Sequence, residues 1–307
     1  MAMRIAAIDQ GTNTTRLLVA DVDDGELEEV AKRVEITRLG EGVDSRRRLL
    51  PLPITRVRNV LTDYRREAEQ LGAERVLLIA TSAVRDAENG EAFLGEIEWS
   101  YGFVTRLLSG EEEAELTFRG AADSRAGTIL VVDPGGGSTE FVVGEAGDVR
   151  SRASVDVGSV RLTERFDEDV EAVAEHVRSV LPPPIDVDHA VGVAGTITTL
   201  AALDLDLEEP EGLGTHGHRL TPDAVRFQRE RLAFLTLDER GRLRGLHPER
   251  APVIVAGAVL VEQILVHFDL DELEVSERDI LHGAALEAAN LPAPAEGAAP
   301  PGAYTCC

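Results

Sequence analysis

Apolar residues fall in short blocks along this chain, separated by polar turns. Ile5-Ala6-Ala7-Ile8, Leu17-Leu18-Val19, Arg75 to Ala80, Ile129-Leu130-Val131-Val132 and Phe141-Val142-Val143 are near-continuous rather than alternating. Short apolar blocks bounded by turn signals predict strands, and Arg75 to Ala80 a buried one. Other stretches carry the helical period. From Pro53 to about Leu71, the positions Val57, Val60, Leu61, Tyr64, Ala68 and Leu71 share one face, and Gly72 is a stop. The same reading predicts helices from Asn89, over 109–122, 168–181, 221–235, 252–268 and 279–290. It predicts further strands at 30–39, 102–108, 149–157, 190–193 and 273–275. Strands interleaved with helices describe an α/β protein.

Composition sharpens this picture. At 307 residues two domains are expected, over 1–122 and 123–290. From Leu291 the chain turns to Pro, Ala and Gly, and 291–307 is expected to be a disordered tail. A hydrophobic fraction of 43% supports real cores, and 4% aromatics means that Val, Leu, Ile and Ala build them. No apolar stretch is as long as a membrane span. Met1-Ala2-Met3-Arg4 leads into a strand without a signal-peptide pattern. The only cysteines, Cys306 and Cys307, are adjacent and form no disulfide framework. A cytoplasmic protein without a membrane partner is expected.

The net charge of −25 argues against nucleic acid as a partner. Any phosphate site must therefore be locally positive. Lys32 is the only lysine, and arginine suits bidentate phosphate binding. Arg46-Arg47-Arg48 reads as a solvated loop, with a grip on a long polyanion as the alternative. His216 and His218 read as loop residues rather than zinc ligands.

Candidate chemistry concentrates at Asp133-Pro134-Gly135-Gly136-Gly137-Ser138-Thr139-Glu140, between two apolar blocks. Glycines let a backbone turn its N–H groups toward an anion. Ser138 and Thr139 add hydroxyls, and Asp133 and Glu140 are hard oxygen ligands suited to magnesium. Asp9-Gln10-Gly11-Thr12-Asn13-Thr14-Thr15 repeats the plan, with Asp9 on Asp133, Gly11 on Gly135, Thr14 on Ser138 and Thr15 on Thr139. Ala194-Gly195-Thr196-Ile197-Thr198 likewise echoes Ala80-Thr81-Ser82. Two equivalences in the same order indicate an internal duplication.

Two such halves resemble the duplicated actin-like (ribonuclease H-like) architecture, which implies an active-site cleft between the domains. Within it, residues 4 to about 289 resemble the exopolyphosphatase and guanosine pentaphosphate phosphohydrolase family. The resemblance rests on six motifs in order: 9–14, Arg38-Leu39-Gly40-Glu41-Gly42, Ala80 to Arg85, Ser109-Gly110-Glu111-Glu112-Glu113-Ala114, 133–140, and Gly195-Thr196. It implies hydrolysis of the terminal phosphoanhydride of polyphosphate, with Glu113 activating water and Glu140 assisting. Thr12, Asn13, Thr14, Arg85, Gly135, Gly136, Gly137, Ser138, Thr139, Gly195 and Thr196 would bind phosphate. Asp133 and Glu140, with Asp9 as a weaker candidate, would hold magnesium, with manganese as the alternative. For Arg85 a surface ion pair with Asp86 or Glu88 is the competing reading, and for Glu111 and Glu112 a helix-terminal role suffices. The family usually has a hydrophobic residue where Pro134 stands, so a backbone donor is lost here and one phosphate contact is in question. The short, two-domain form implies shorter polyphosphates, and the family implies a homodimer. Hydrolysis of guanosine pentaphosphate (pppGpp), an ATP-dependent kinase and a non-catalytic polyphosphate or nucleotide sensor are the alternatives.

Overall fold

The computed structural model describes residues 2–122, 127–145, 147–208 and 214–291. The chain divides into two units, Met1–Leu116 with Ile280–Cys307, and Thr117–Asp279. Apart from Leu291, the tail expected at 291–307 lies outside the described residues.

The first unit holds β1 (Met3–Gln10), β2 (Thr14–Asp23), β3 (Glu26–Ile36), α1 (Val43–Arg46), α2 (Pro51–Gln70), β4 (Arg75–Ala80), α3 (Ser82–Arg85), α4 (Gly90–Tyr101), β5 (Val104–Leu107) and the start of α5 (Gly110–Ala121). Its sheet runs β3-β2-β1-β4-β5. The first three strands form an antiparallel meander, and β1, β4 and β5 are parallel. Alternate residues face opposite ways. Ala6, Ile8, Leu78 and Ala80 meet Val57, Leu61, Phe93 and Ile97 of α2 and α4. Ile5, Ala7, Leu77 and Ile79 build a second core on the other face. Burial on both faces explains the unbroken apolar runs.

The second unit contains β6 (Thr128–Pro134), β7 (Thr139–Glu145), β8 (Asp148–Val155), α6 (Ser159–Phe166), α7 (Val170–Val180), β9 (His189–Gly192), α8 (Ala194–Asp204), β10 (Arg219–Leu220), α9 (Pro222–Phe234), α10 (Leu237–Arg240), a 3-10 turn (Pro248–Arg250), α11 (Ile254–His267) and β11 (Leu273–Val275). Its sheet runs β10-β11-β9-β6-β7-β8. The path is that of the first unit: β6, β7 and β8 form the meander, and β6, β9 and β11 are parallel. Even the register repeats. Gln10 faces Thr15 at one hairpin mouth, and Pro134 faces Thr139 at the other. The β2–β3 ladder shifts between Val19 and Ala20, and the β7–β8 ladder shifts between Val143 and Gly144. These are equivalent positions, so the duplication extends to a bulge.

Three expectations are corrected. The last helix, α12 (Ile280–Ala288), belongs with the first unit, not with a domain at 123–290. Its Ile280, Leu281, Ala284, Ala285 and Ala288 cover the face made by Ile5, Ala7, Leu18, Ala20, Leu77 and Ile79. That face needs a cover that the first 116 residues do not supply in full. The other division falls inside α5 rather than at 122, because Leu116 joins the first unit's core while Phe118 lies over Gly144 of the second. The third strand starts at Glu26 and ends at Ile36, so residues 37–39 leave the sheet. Among the described residues no helix is long and apolar enough to cross a membrane.

Candidate functional site

In the first unit the candidate residues gather where β1, β4 and β5 end, the usual ligand edge of parallel strands. The Gly11 N–H donates to Thr14 O at 2.9 Å and closes the hairpin loop. Behind the loop, Thr37 and Arg38 N–H donate to Asn13 O, and Gly40 N–H donates to Thr12 O at 2.8 Å. A Cβ on Gly40 would fall 2.2 Å from Thr12 Cγ2, so glycine permits this close approach. The Thr12 hydroxyl bonds the Ser82 hydroxyl at 2.8 Å, joining the first and third motifs. Arg85 donates to Leu108 O at 2.9 Å and to Glu113 Oε2 at 3.2 Å. Its acidic partner is thus Glu113, rather than Asp86 or Glu88.

The three acids opening α5 separate by environment. Glu111 is exposed. Glu112 closes a capping box, accepting from the Ser109 N–H at 2.8 Å and hydroxyl at 2.9 Å while Ser109 Oγ accepts the Glu112 N–H. These two bonds from Ser109, ahead of the attraction of Arg106, hold its carboxyl below the usual range. Glu113 turns inward and is 8% exposed.

In the second unit the loop after β6 has the same construction. The Gly135 N–H donates to Ser138 O at 3.0 Å, matching Gly11 and Thr14. The first turn of α6 backs it: Ser159 N–H donates to Gly135 O, and Val160 and Arg161 N–H donate to Gly136 O. Arg161 Nε donates to Gly137 O at 2.7 Å from a buried position. A Cβ on Gly158 would lie 2.4 Å from Gly136 C, so Gly158 plays the part of Gly40. The carbonyls of the loop are therefore committed. Among the described residues, the N–H groups of Gly136, Gly137 and Ser138 donate to no protein acceptor. Consecutive amides of this kind form an anion-binding concavity.

Acid placement differs between the hairpins. Asp9 faces Arg16 across its ladder, and the guanidinium bonds Asp9 Oδ2 at 2.6 and 2.9 Å. At the equivalent positions Asp133 faces Glu140. Asp133 accepts from Thr117 Oγ1 at 3.2 Å, and Glu140 accepts from Ser154 Oγ at 2.8 Å. Both are buried, and like charges directly opposite on a ladder repel. A hard cation suits such a pair, since magnesium is commonly held by one or two carboxylates plus substrate phosphates. No group of three or more His, Cys, Asp or Glu among the described residues forms a metal cluster. His216 is exposed, and His218 pairs with Asp204 at 2.8 Å.

Pro134 ends β6 opposite Thr139, so its missing donor falls in the strand and not in the turn of amides. Gly195 and Thr196 lie in the first turn of α8, directly after its first residue, Ala194, which is held at φ 70. Strain of that kind marks a constrained turn. A Cβ on Gly195 would lie 2.1 Å from an Arg250 guanidinium nitrogen, so Arg250 covers this turn. Arg161, Arg250 and Gly158 were not singled out from sequence. Their only signal there was an arginine or glycine beside a predicted turn.

The chain matches the model of the Ppx/GppA phosphatase family over residues 18–290. Exopolyphosphatase 2 of Mycobacterium tuberculosis is 40% identical, covering 93% of this chain and 98% of that protein. A guanosine-5'-triphosphate,3'-diphosphate pyrophosphatase of Vibrio vulnificus is 29% identical over 92% of this chain, which spans 58% of that protein. The crystal structure of the Aquifex aeolicus Ppx/GppA family member superposes with a TM-score of 0.78 at 32% identity, covering 95% of this chain and all of that one.

Proposed function

Because this chain belongs to the Ppx/GppA phosphatase family, we propose that it hydrolyses the terminal phosphoanhydride of inorganic polyphosphate and releases orthophosphate. The observation that carries the reading is the 135–138 loop, whose Gly135, Gly136 and Gly137 carbonyls are tied into α6 while three successive amides stay uncommitted among the described residues. Phosphoryl transfer asks chiefly for charge neutralisation and a positioned nucleophile. The amides of Gly136, Gly137 and Ser138, with the Ser138 and Thr139 side chains, take the phosphoryl oxygens. Thr12, Asn13 and Thr14 serve the same purpose in the first unit, as do Gly195 and Thr196 in the second. Arg85 offers a planar fork to phosphate and holds the Glu113 carboxylate in place at 3.2 Å.

Glu113 accepts the proton of a water as its oxygen attacks the terminal phosphorus. The bridging P–O bond breaks, and the shortened chain departs with the electron pair. Asp133 and Glu140 would hold magnesium, or manganese, with Asp9 less suited because Arg16 already engages it. Bound there, the ion would neutralise phosphoryl charge. The same reading makes the enzyme a cytoplasmic homodimer, to be checked by fractionation and light scattering.

Hydrolysis of pppGpp is the second reading, favoured by the Vibrio relative's name. Phosphate release from polyphosphates of defined length and from pppGpp, with and without magnesium, tests both. Magnesium-dependent release, faster from polyphosphate, is expected. Faster release from pppGpp selects the second reading, and release from neither overturns both.

A further inference from the structure

We propose that Arg46, Arg47 and Arg48 form an outer subsite that binds internal phosphates of a polyphosphate chain, away from the scissile end. The inference rests on the polyphosphate reading above. All three side chains are exposed, and among the described residues none has a carboxylate within ion-pairing distance. Other arginines on the surface of this unit are matched: Arg58 with Glu96 at 2.6 Å, Arg33 with Glu67 at 2.5 Å, and Arg66 with Asp63 at 3.5 Å. Three adjacent unmatched cations are unusual on a chain of net charge −25. Screening over about 8 Å makes such a patch locally positive whatever the total.

The backbone beneath the triplet is anchored to the candidate site at both ends. On one side, Gly40 N–H holds Thr12 O, Val43 N–H holds Gly40 O, and Arg46 and Arg47 N–H close onto Gly42 and Val43. On the other, Glu88 N–H donates to Arg47 O at 2.8 Å, and the Asn89 side chain brackets Leu49 with bonds of 2.8 and 3.1 Å. Glu88 and Asn89 come three and four residues after Arg85, the end of α3. The arginines thus stand on a fixed bridge between the Thr12 loop and the Arg85 segment. Arg47 itself sits at φ 51, ψ 33, where glycine would be at ease. A long cation held in a strained backbone position fits a binding role. The arginine fork matches phosphate oxygens, and a chain carrying charge on every phosphate can engage several at once.

The test compares wild type with a triple Arg46→Gln/Arg47→Gln/Arg48→Gln variant and a triple lysine variant. Inorganic triphosphate and long-chain polyphosphate are the substrates, across a salt series, with equilibrium binding of long-chain polyphosphate measured alongside. The glutamine variant is expected to raise the long-chain KM about five- to tenfold and to flatten its salt dependence. Triphosphate turnover stays unchanged, and lysine restores most of the loss. Equal effects on both substrates, or none on either, overturn the subsite. If wild type cleaves neither substrate the hydrolase reading fails, and binding alone then decides the subsite: loss in the glutamine variant supports it and parity overturns it. Single-stranded RNA competing as well as polyphosphate overturns the assignment to polyphosphate.

Discussion

Glu112 and Glu113 are adjacent in sequence and opposite in circumstance, because successive helix residues point about a quarter-turn apart. One is spent on the cap, the other is buried beside Arg85. Glu113→Gln should therefore lower kcat by about two orders of magnitude or more while leaving KM within about twofold. Steady-state phosphate release measures both, and a kcat near wild type would remove Glu113 from its role. Gly158→Ala tests the loop's backing instead. Its Cβ would strike backbone at Gly136, which cannot swing aside as a side chain can. Activity should fall about tenfold or more, beside a stability cost of about 1–3 kcal/mol from the same clash. An unchanged rate would mean that the loop relaxes without losing its geometry. Acids, hydroxyls and glycines of the candidate site could be picked out in sequence because their chemistry is local to each motif. Arg161 and Arg250 were not, since their roles exist only once α6 and the 248–250 turn close over glycines far away in the chain.

At the level of elements, the apolar blocks predicted strands, Arg75 to Ala80 a buried one, and the repeated Asp-x-Gly hairpins predicted the doubled path. What no local pattern revealed was which sheet α12 would cover, because an apolar helix face carries no address. Its seat is tight: a Cβ on Gly283 would lie 2.1 Å from Leu116 O, a backbone atom of α5. Gly283→Ala should cost about 1–3 kcal/mol despite alanine's better helix propensity. Urea denaturation measures it, and a gain in stability would show that α12 can shift without cost. Arg47→Gly should act in the other direction. It relieves a left-handed residue at the end of α1 and should add about 0.5–1 kcal/mol by the same measurement. A neutral or destabilising result would mean that the arginine side chain offsets its own backbone strain.

Across the whole molecule, acid sensitivity has an identifiable contributor. Arg240 is buried, and its guanidinium reaches Glu168 at 2.6 Å. The hydrogen bond from Arg240, more than its charge, holds the Glu168 carboxyl below the usual range. A carboxyl lowered on folding stabilises above its unfolded pKa, near 4.3, and loses that contribution as pH falls through the folded value. Glu168→Gln should cost about 1–2 kcal/mol at pH 7, the partial exposure of Glu168 keeping the figure modest. The gap in melting temperature between the two proteins should narrow below about pH 4. A gap independent of pH would rule out the ion pair as its source. The return of α12 to the first unit also bears on how the protein is made. Residues Thr117–Asp279 are contiguous and can fold as they leave the ribosome, whereas one face of the first sheet stays only partly covered until Ile280–Ala288 emerges. At ~5–20 residues per second that interval lasts roughly ten to thirty seconds. Nascent chains stalled before residue 280 would then expose Ile5, Ala7, Leu18 and Leu77 to chaperones, and the emergence of α12 would be the event that completes the oldest part of the chain.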